Sequence, residues 1–294
     1  MKKVRKSSIV LFCAVMAIAG LLVSCASTDG AAGSSAKPVI VVAAFGSSYE
    51  SGLENLEDFD AAVRETFPNN EVRWAFTASF IVDKLRDGEG KTTIFDRNVP
   101  VKTLEEVYAD LRKEGKRNVL VQSLHLMVGQ EYRQVINTPT DGLNVKYSHP
   151  LLYYPENIQN AVNALAPHFG KSDDTLTVLC AHGNEKHLEY NAELVQMNKY
   201  LHENYDNVHV AVMEGTPEFD PVMKAAEEQG YSNVQFITFM LTYGDHMSND
   251  VMSDEEDSMK SRLGMPADCT DGLASHEAIQ DIFINNIKLV MDQF

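Results

Sequence analysis

Short apolar runs rich in β-branched residues recur along the chain and alternate with segments of mixed polarity. Continuous Val, Ile and Leu runs are typical of strands that are buried on both faces of a sheet, and the intervening segments are long enough for crossover helices. The sequence therefore predicts a parallel α/β architecture. The predicted strands are VIVVAAF (39–45), EVRWAF (71–76), NVLVQSLH (118–125), VKYSHPLL (145–152), TLTVLCAH (175–182), NVHVAVME (207–214) and NVQFITFML (233–241).

The two halves of the chain resemble each other. VVAAFGSS (41–48) is similar to VLCAHGNE (178–185), and the segment that begins NVLVQSLHLMVG at Asn118 is similar to the one that begins NVQFITFMLTYG at Asn233. All βα units share some of this pattern, so a weak repeat of this kind can also arise from the βα units themselves. We predict two similar α/β lobes, each with a parallel sheet flanked by helices, over residues 38–150 and 151–294, with a cleft between them.

The first 25 residues are typical of a secretory signal. MKKVRKSSIVLFCAVMAIAGLLVSC has a basic start, an apolar core over 9–23 that is too short for a stable membrane span, and small residues before Cys25. LVSC resembles the bacterial lipoprotein cleavage box, which implies that Cys25 is lipidated and that the protein is exported and anchored in the bacterial envelope, facing the periplasm. An ordinary signal peptide cleaved nearby is the alternative. Residues 26–37, rich in Gly, Ala and Ser, predict a flexible tether.

The charge and the cysteine content exclude two classes of protein. The net charge is −17, and removal of the basic leader makes the rest more acidic still, so a nucleic-acid partner is excluded because the basic footprint is absent. After the leader only Cys180 and Cys269 remain, which excludes a disulfide framework. We interpret both as ordinary thiols.

Three metal-binding side chains are predicted beyond strands of the second half. His182, Glu214 and His246 each stand near a glycine, and successive members are 32 positions apart. Ligands of parallel α/β sheets bind beyond the carboxyl ends of the strands, so we expect the three residues at one rim. Two imidazoles and a carboxylate suit a borderline divalent metal, and histidines accept protons near neutral pH. Each residue alone could instead cap a helix or bond a backbone carbonyl, but together they predict a metal-handling cleft.

The motifs around these residues resemble those of the anaerobic type of sirohydrochlorin cobaltochelatase, a class II tetrapyrrole chelatase. The resemblance covers nearly all of the chain after the leader. It implies a chelatase-like fold with the active site between two lobes, and insertion of Co(II), or of Fe(II), into a sirohydrochlorin-type tetrapyrrole with release of two protons. The matching motifs are AAFGSSY (43–49), AFTASFIVDKL (75–85), LHLMVGQEY (124–132), AHGNEKHLEYN (181–191), VMEGTPEFD (212–220) and FMLTYGDHMSNDVMSDEEDSM (239–259).

The resemblance also implies roles for individual residues. His182 and His246 fall on the catalytic histidines of the family, and Glu214 falls on its third metal-site residue. No permanently bound cofactor is implied, because the divalent metal is a substrate. His125 could instead be a satisfied core histidine, and His187 could instead be a solvent-exposed residue without contact to substrate. The substrate-binding candidates are Phe45, Gly46, Ser47, His125 and His187.

Charge patterning around the predicted site adds two expectations. An acidic protein repels a polycarboxylate macrocycle unless the cleft supplies local cations. Asp250, Asp254 and Asp257 are spaced for one face of a helix beginning near His246. We interpret them as a solvated acidic face, and a cation feed or proton exit is the alternative. The candidate cleft cations are Arg73, Lys84, Arg86 and Arg133.

Two other functions stay open at this point. One is a non-catalytic envelope lipoprotein of the same fold that holds metal or haem for transport, and the other is a two-lobed solute receptor. Retention of both histidines and Glu214 favours catalysis over the carrier, because a carrier needs no paired bases facing a ring. The expected partners are a tetrapyrrole, a divalent metal and, through the lipid anchor only, a membrane. A homo-oligomer is left open.

Overall fold

The computed structural model describes residues 37–294. The predicted signal peptide, the lipidation site Cys25 and residues 26–36 of the predicted tether lie outside the described residues. Within 37–294, no helix has the length and apolar content needed to cross a membrane.

Most strands of the described region lie where the apolar runs predict them. The runs that begin at Val145 and Asn233 stop being strands earlier than predicted, at Ser148 and Thr238. The strands are β1 (Val39–Ala44), β2 (Val72–Phe76), β3 (Thr93–Ile94), β4 (Val99–Pro100), β5 (Asn118–Leu124), β6 (Asn144–Ser148), β7 (Thr175–Gly183), β8 (Val208–Glu214), β9 (Asn233–Thr238) and β10 (Ala267–Cys269).

Helices connect these strands and cover the sheets. Two short π-helical turns, Lys84–Gly88 and Met247–Val251, interrupt the regular pattern close to the site described below. The α-helices are α1 (Glu50–Thr66), α2 (Ser79–Asp83), α3 (Leu104–Lys113), α4 (Gln130–Asn137), α5 (Glu156–Leu165), α6 (Ala192–Asn204), α7 (Asp220–Gln229), α8 (Met259–Leu263) and α9 (Glu277–Met291).

Each half of the chain builds one four-stranded parallel sheet. The first sheet has the order β2-β1-β5-β6 and the second the order β8-β7-β9-β10. In both sheets the first strand of the half lies inside the sheet. The next strand along the chain pairs with one of its sides, and the following two strands of the sheet lie on its other side. The shared order confirms the predicted α/β class with a parallel sheet in each half, and it explains the sequence similarity between the halves.

Both sheets are buried on both faces, as their continuous apolar runs require. Along β1, Ile40 and Val42 point into a central core that also contains residues of the second half, whereas Val41 points into a separate core beneath α3. A third core covers the outer face of the second sheet around Phe236. Burial of one Val, Ile or Leu side chain stabilises the fold by about 1.5 to 3 kcal/mol, so these alternating residues fix each sheet against its helices.

The last helix, α9, packs against the first sheet, although its residues belong to the second half of the chain. Helix α9 packs against β5, β6 and α1, and Phe283 of α9 meets Phe59 of α1 edge to face with ring centroids 5.7 Å apart. The core of the first sheet is therefore completed by the C-terminal residues of the chain.

Candidate active site

A cavity of about 680 Å³ lies beyond the carboxyl ends of the strands. The segment after β2 contributes Phe80, Ile81 and Lys84, and the main walls come from the segments that follow β1, β5, β7 and β9. In each sheet these are the neighbouring strands between which the chain reverses its direction of winding. Such switch points are where open α/β sheets bind ligands, because the loops on either side diverge and leave a crevice.

Two imidazole rings meet at this cavity. The ring centroids of His182 and His246 are 4.5 Å apart, with the ring planes at 85°. His182 is the last residue but one of β7, and His246 lies in a helical turn that begins at Asp245, seven positions after the end of β9. The predicted pairing of these histidines in space is therefore present, although His246 does not directly end a strand.

Hydrogen bonds define which ring nitrogens are free. Nδ1 of His182 is 2.8 Å from the carbonyl oxygen of Gly183, and Nδ1 of His246 is 2.6 Å from Oδ2 of Asp250. A carbonyl and a carboxylate accept hydrogen bonds, so we infer that each Nδ1 carries the proton and donates. In the neutral rings both Nε2 atoms then keep a lone pair, available to a metal ion or to a proton.

Glycine backbone geometry holds His182 at the rim. Gly183 has a φ of +75°, and a Cβ atom at this position would lie 2.2 Å from the carbonyl oxygen of Glu214. Strands β7 and β8 therefore approach each other at Gly183 and Glu214 more closely than a side chain allows.

Helix α1 of the first half holds the segment that carries His246. Ser51 Oγ donates to the carbonyl oxygen of Tyr243 at 2.9 Å, and the amide of Tyr243 donates to Asn55 Oδ1 at 2.8 Å. The hydroxyl of Tyr49 donates to Asp245, and this bond raises the pKa of Tyr49, so the hydroxyl keeps its proton. These contacts hold the segment that carries His246 against the first half of the chain.

Glu214 ends β8 beside the histidines, but its side chain does not line the cavity. Its backbone pairs in register with Gly183, and the residue is exposed. Among residues 37–294, no group of three or more His, Cys, Asp or Glu side chains is arranged to hold a metal ion. The ligand set of His182, Glu214 and His246 therefore stays a prediction.

The structure places four of the five substrate-binding candidates in the cavity wall. Phe45, Gly46, Ser47 and His125 line the cavity, whereas His187 is exposed outside the lining. The Nδ1 atom of His187 lies 3.3 Å from a carboxylate oxygen of Glu189.

His125 is buried within the cavity wall. Its Nδ1 is 2.8 Å from Ser123 Oγ and its Nε2 is 3.4 Å from Thr77 Oγ1. Burial lowers the pKa of His125 to about 4, so the ring is neutral at pH 7. The structure thus supports the satisfied core position, and contact of this lining residue with substrate stays a prediction.

The four candidate cations have different surroundings. Arg73 forms ion pairs with Glu71 and Glu114, Arg86 pairs with Glu106, and the Arg133 guanidinium lies over the ring of Tyr190 at 5.6 Å. Lys84 is the one lysine or arginine within residues 37–294 that lines the cavity. Arg133 thus stands beside Tyr190, another lining residue, without being part of the lining itself.

The expected acidic face after His246 does not form. The helical turn ends at Val251, and residues 252–258 form bends and turns. Asp254 instead forms an ion pair with Lys260 at 2.6 Å. All three aspartates are exposed, as a solvated face requires, but the carboxylate of Asp250 also bonds His246. The i, i+4 spacing of His246 and Asp250 was the sequence signal for this contact.

The chain is similar to known proteins over most of its length. The profile of the cobalt chelatase (CbiK) family matches residues 38–292. A sirohydrochlorin cobaltochelatase of Nitratidesulfovibrio vulgaris is 28% identical over 264 residues, covering 85% of this chain and 89% of the relative. The sirohydrochlorin cobaltochelatase of Salmonella typhimurium is 27% identical over 267 residues, covering 87% and 97%.

Solved structures show the same fold. SirB from Bacillus subtilis with Fe3+ superposes with a TM-score of 0.60 at 13% identity, covering 87% of this chain and 96% of SirB. A multi-domain Deinococcus radiodurans protein with structural similarity to chelatases gives a TM-score of 0.54 at 13% identity, covering 86% of this chain and 55% of that protein. With the family profile matched from the first strand to the last helix, the chain belongs to the cobalt chelatase (CbiK) family.

Proposed function

We propose that this protein inserts Co(II) into sirohydrochlorin. The observation that carries the proposal is the pair of imidazoles in the cavity wall, each with its Nδ1 bonded to an acceptor and its Nε2 left free. The two curated relatives support the choice of metal and macrocycle through their names.

The paired histidines suit the chemistry of metal insertion. The free-base macrocycle loses two pyrrole protons and the metal loses its water shell, so the products are the metallated ring and two protons. We propose that Glu214 and the histidines bind the incoming Co(II), and that a neutral histidine accepts a pyrrole proton through Nε2. His125 stays neutral in the wall, so it adds no positive charge that would oppose entry of the cation.

We also propose that the enzyme is exported and anchored through lipidated Cys25. The basic start, the apolar core and the LVSC box support this location. Expression with radiolabelled palmitate tests it, because label is expected in the wild type and not in the Cys25→Ser variant.

An anaerobic absorbance assay tests the proposed reaction. Purified protein is mixed with sirohydrochlorin and Co(II), and conversion of the free-base spectrum to the metallated one is followed. The wild type is expected to exceed the spontaneous rate, and His182→Ala and His246→Ala are expected to lose that acceleration.

A matched control is available in a second histidine pair. Nε2 of His202 lies 2.9 Å from Nδ1 of His209, outside the cavity lining, so His202→Ala is expected to keep wild-type turnover. Tight metal or haem binding without any acceleration would instead favour the envelope carrier, and no response to either ligand would favour the solute receptor.

A further inference from the structure

Two aromatic rings and one ammonium group form one edge of the cavity, which we call the cavity lip and define as Phe45, Phe80 and Lys84. Phe45 and Phe80 are 42% and 59% exposed and meet edge to face with centroids 5.7 Å apart. Exposed aromatic side chains next to a cavity mark a binding surface, because the fold gains little from leaving them in water.

Lys84 is held at this edge without a carboxylate partner. It opens the π-helical turn Lys84–Gly88, one turn after Phe80, and its Nζ lies 5.7 Å from the centre of the Tyr49 ring. Within residues 37–294, no carboxylate oxygen lies within ion-pair distance of its Nζ. Its charge is thus available to an anion in the cavity.

The cavity wall also contains two carboxylates, which repel an anionic ligand, whereas Lys84 attracts it. Glu131 and Asp245 line the same cavity, and the Asp245 carboxylate already accepts bonds from Tyr49 and from Asn249. A ligand with several carboxylates at its rim is repelled near these two residues and attracted at Lys84. One cation among two carboxylates therefore gives the cavity wall a single lysine or arginine position that attracts a carboxylate, within residues 37–294.

We propose that the cavity lip selects a macrocycle with peripheral carboxylates. In this proposal, which rests on the proposed chelatase function, Lys84 binds one carboxylate of the ring edge, and Phe45 and Phe80 pack against the ring. Lys84 is then a specificity-determining residue, and it orients the ring in the cavity that His182 and His246 also line.

Binding and turnover measured separately test this assignment. The dissociation constant for sirohydrochlorin without metal is measured by absorbance titration, and KM for sirohydrochlorin and for Co(II) is measured in the anaerobic assay. Lys84→Glu is expected to raise both sirohydrochlorin constants by about tenfold or more, as for loss of a charge-assisted hydrogen bond. KM for Co(II) is expected to stay unchanged, and Lys84→Arg is expected to bind as the wild type does.

The control is Lys224→Glu, which changes the same charge on α7, where the lysine faces Glu228 at 3.6 Å. The assignment is overturned if the dissociation constant and KM for sirohydrochlorin of Lys84→Glu lie within twofold of those of Lys224→Glu. Weakened binding in Lys84→Glu, with no turnover in any protein, supports the lip and overturns the proposed reaction. Failure of the wild type to bind sirohydrochlorin overturns both.

Discussion

Asp250 stands one helical turn after His246, and its Oδ2 lies 2.6 Å from Nδ1 of that histidine. A carboxylate in this position fixes the tautomer and the orientation of the imidazole. His182 has only a backbone carbonyl in the equivalent place. The two histidines are therefore not chemically equivalent, because a side-chain carboxylate orients only His246.

Asp250→Asn is expected to lower kcat by about 10- to 100-fold, because the amide no longer stabilises the required tautomer. KM for sirohydrochlorin is expected to change little, since Asp250 does not line the cavity. Steady-state kinetics check this, with Asp254→Asn as the control, because Asp254 pairs with Lys260 on the surface. Equal kcat values for the two variants would exclude the orienting role.

Glu214→Gln is expected to raise KM for Co(II) by about tenfold or more and to leave KM for sirohydrochlorin unchanged, because the neutral amide is a weaker metal ligand. The exposed residue Glu218, four positions later, provides the control Glu218→Gln. A Co(II) constant that is the same in both variants would remove Glu214 from the proposed ligand set.

Gly183→Ala is expected to destabilise the protein more than Gly115→Ala does. Both glycines have a φ of +75°, so both alanines share a backbone cost of about 1 to 2 kcal/mol. Open space surrounds a Cβ at Gly115, whereas at Gly183 it meets the Glu214 carbonyl at 2.2 Å, which adds about 1 to 3 kcal/mol of overpacking. Denaturant unfolding measures the difference, and equal losses would contradict a close strand approach.

Stability is expected to fall as the pH drops from about 6.5 to about 4. The folded-state pKa of His125 is lowered to about 4, so the unfolded chain binds more protons in this window and protonation favours unfolding. At pH 5 the loss relative to pH 7 is about 2 kcal/mol from this residue.

The His125→Gln variant isolates this contribution. The pKa of His209 is also lowered to about 4 by burial and by His202, so it adds the same pH dependence to both proteins. The free energy of unfolding of His125→Gln is expected to fall less between pH 7 and pH 5 than that of the wild type. Identical slopes would show that His125 is not held neutral in the folded protein.

The strands of the two sheets could be predicted because continuous β-branched runs have few alternatives to a doubly covered sheet. The runs continue past Ser148 and Thr238, where apolar residues such as Leu151 and Phe239 are buried in turns and not in strands. Apolar character reports burial but not backbone conformation, so the strand ends could not be fixed. The edge strand β10 has three residues, one of them Asp268, and leaves no periodic signal.

For the site, residues next to predicted strand ends were predictable because parallel strands bring their carboxyl ends together. The contacts that support His246 were not, since Tyr49, Ser51 and Asn55 are nearly two hundred positions away along the chain. Pairing between α1 and the segment after β9 depends on how the two halves pack, which no local pattern encodes. The sequence names Lys84 as one of four candidate cations. Which of the four is paired with a carboxylate depends on the folded structure.

Because α9 completes the core of the first sheet, the order of synthesis and the order of packing differ in this chain. Strands β5 and β6 are made long before residues 277–291, so the face of the first sheet that α9 covers stays open until the C-terminus is available. Contacts so distant in sequence slow folding, since a long loop must close before they form. Residues 277–291 thus complete the packing of a sheet whose strands precede them by more than a hundred positions.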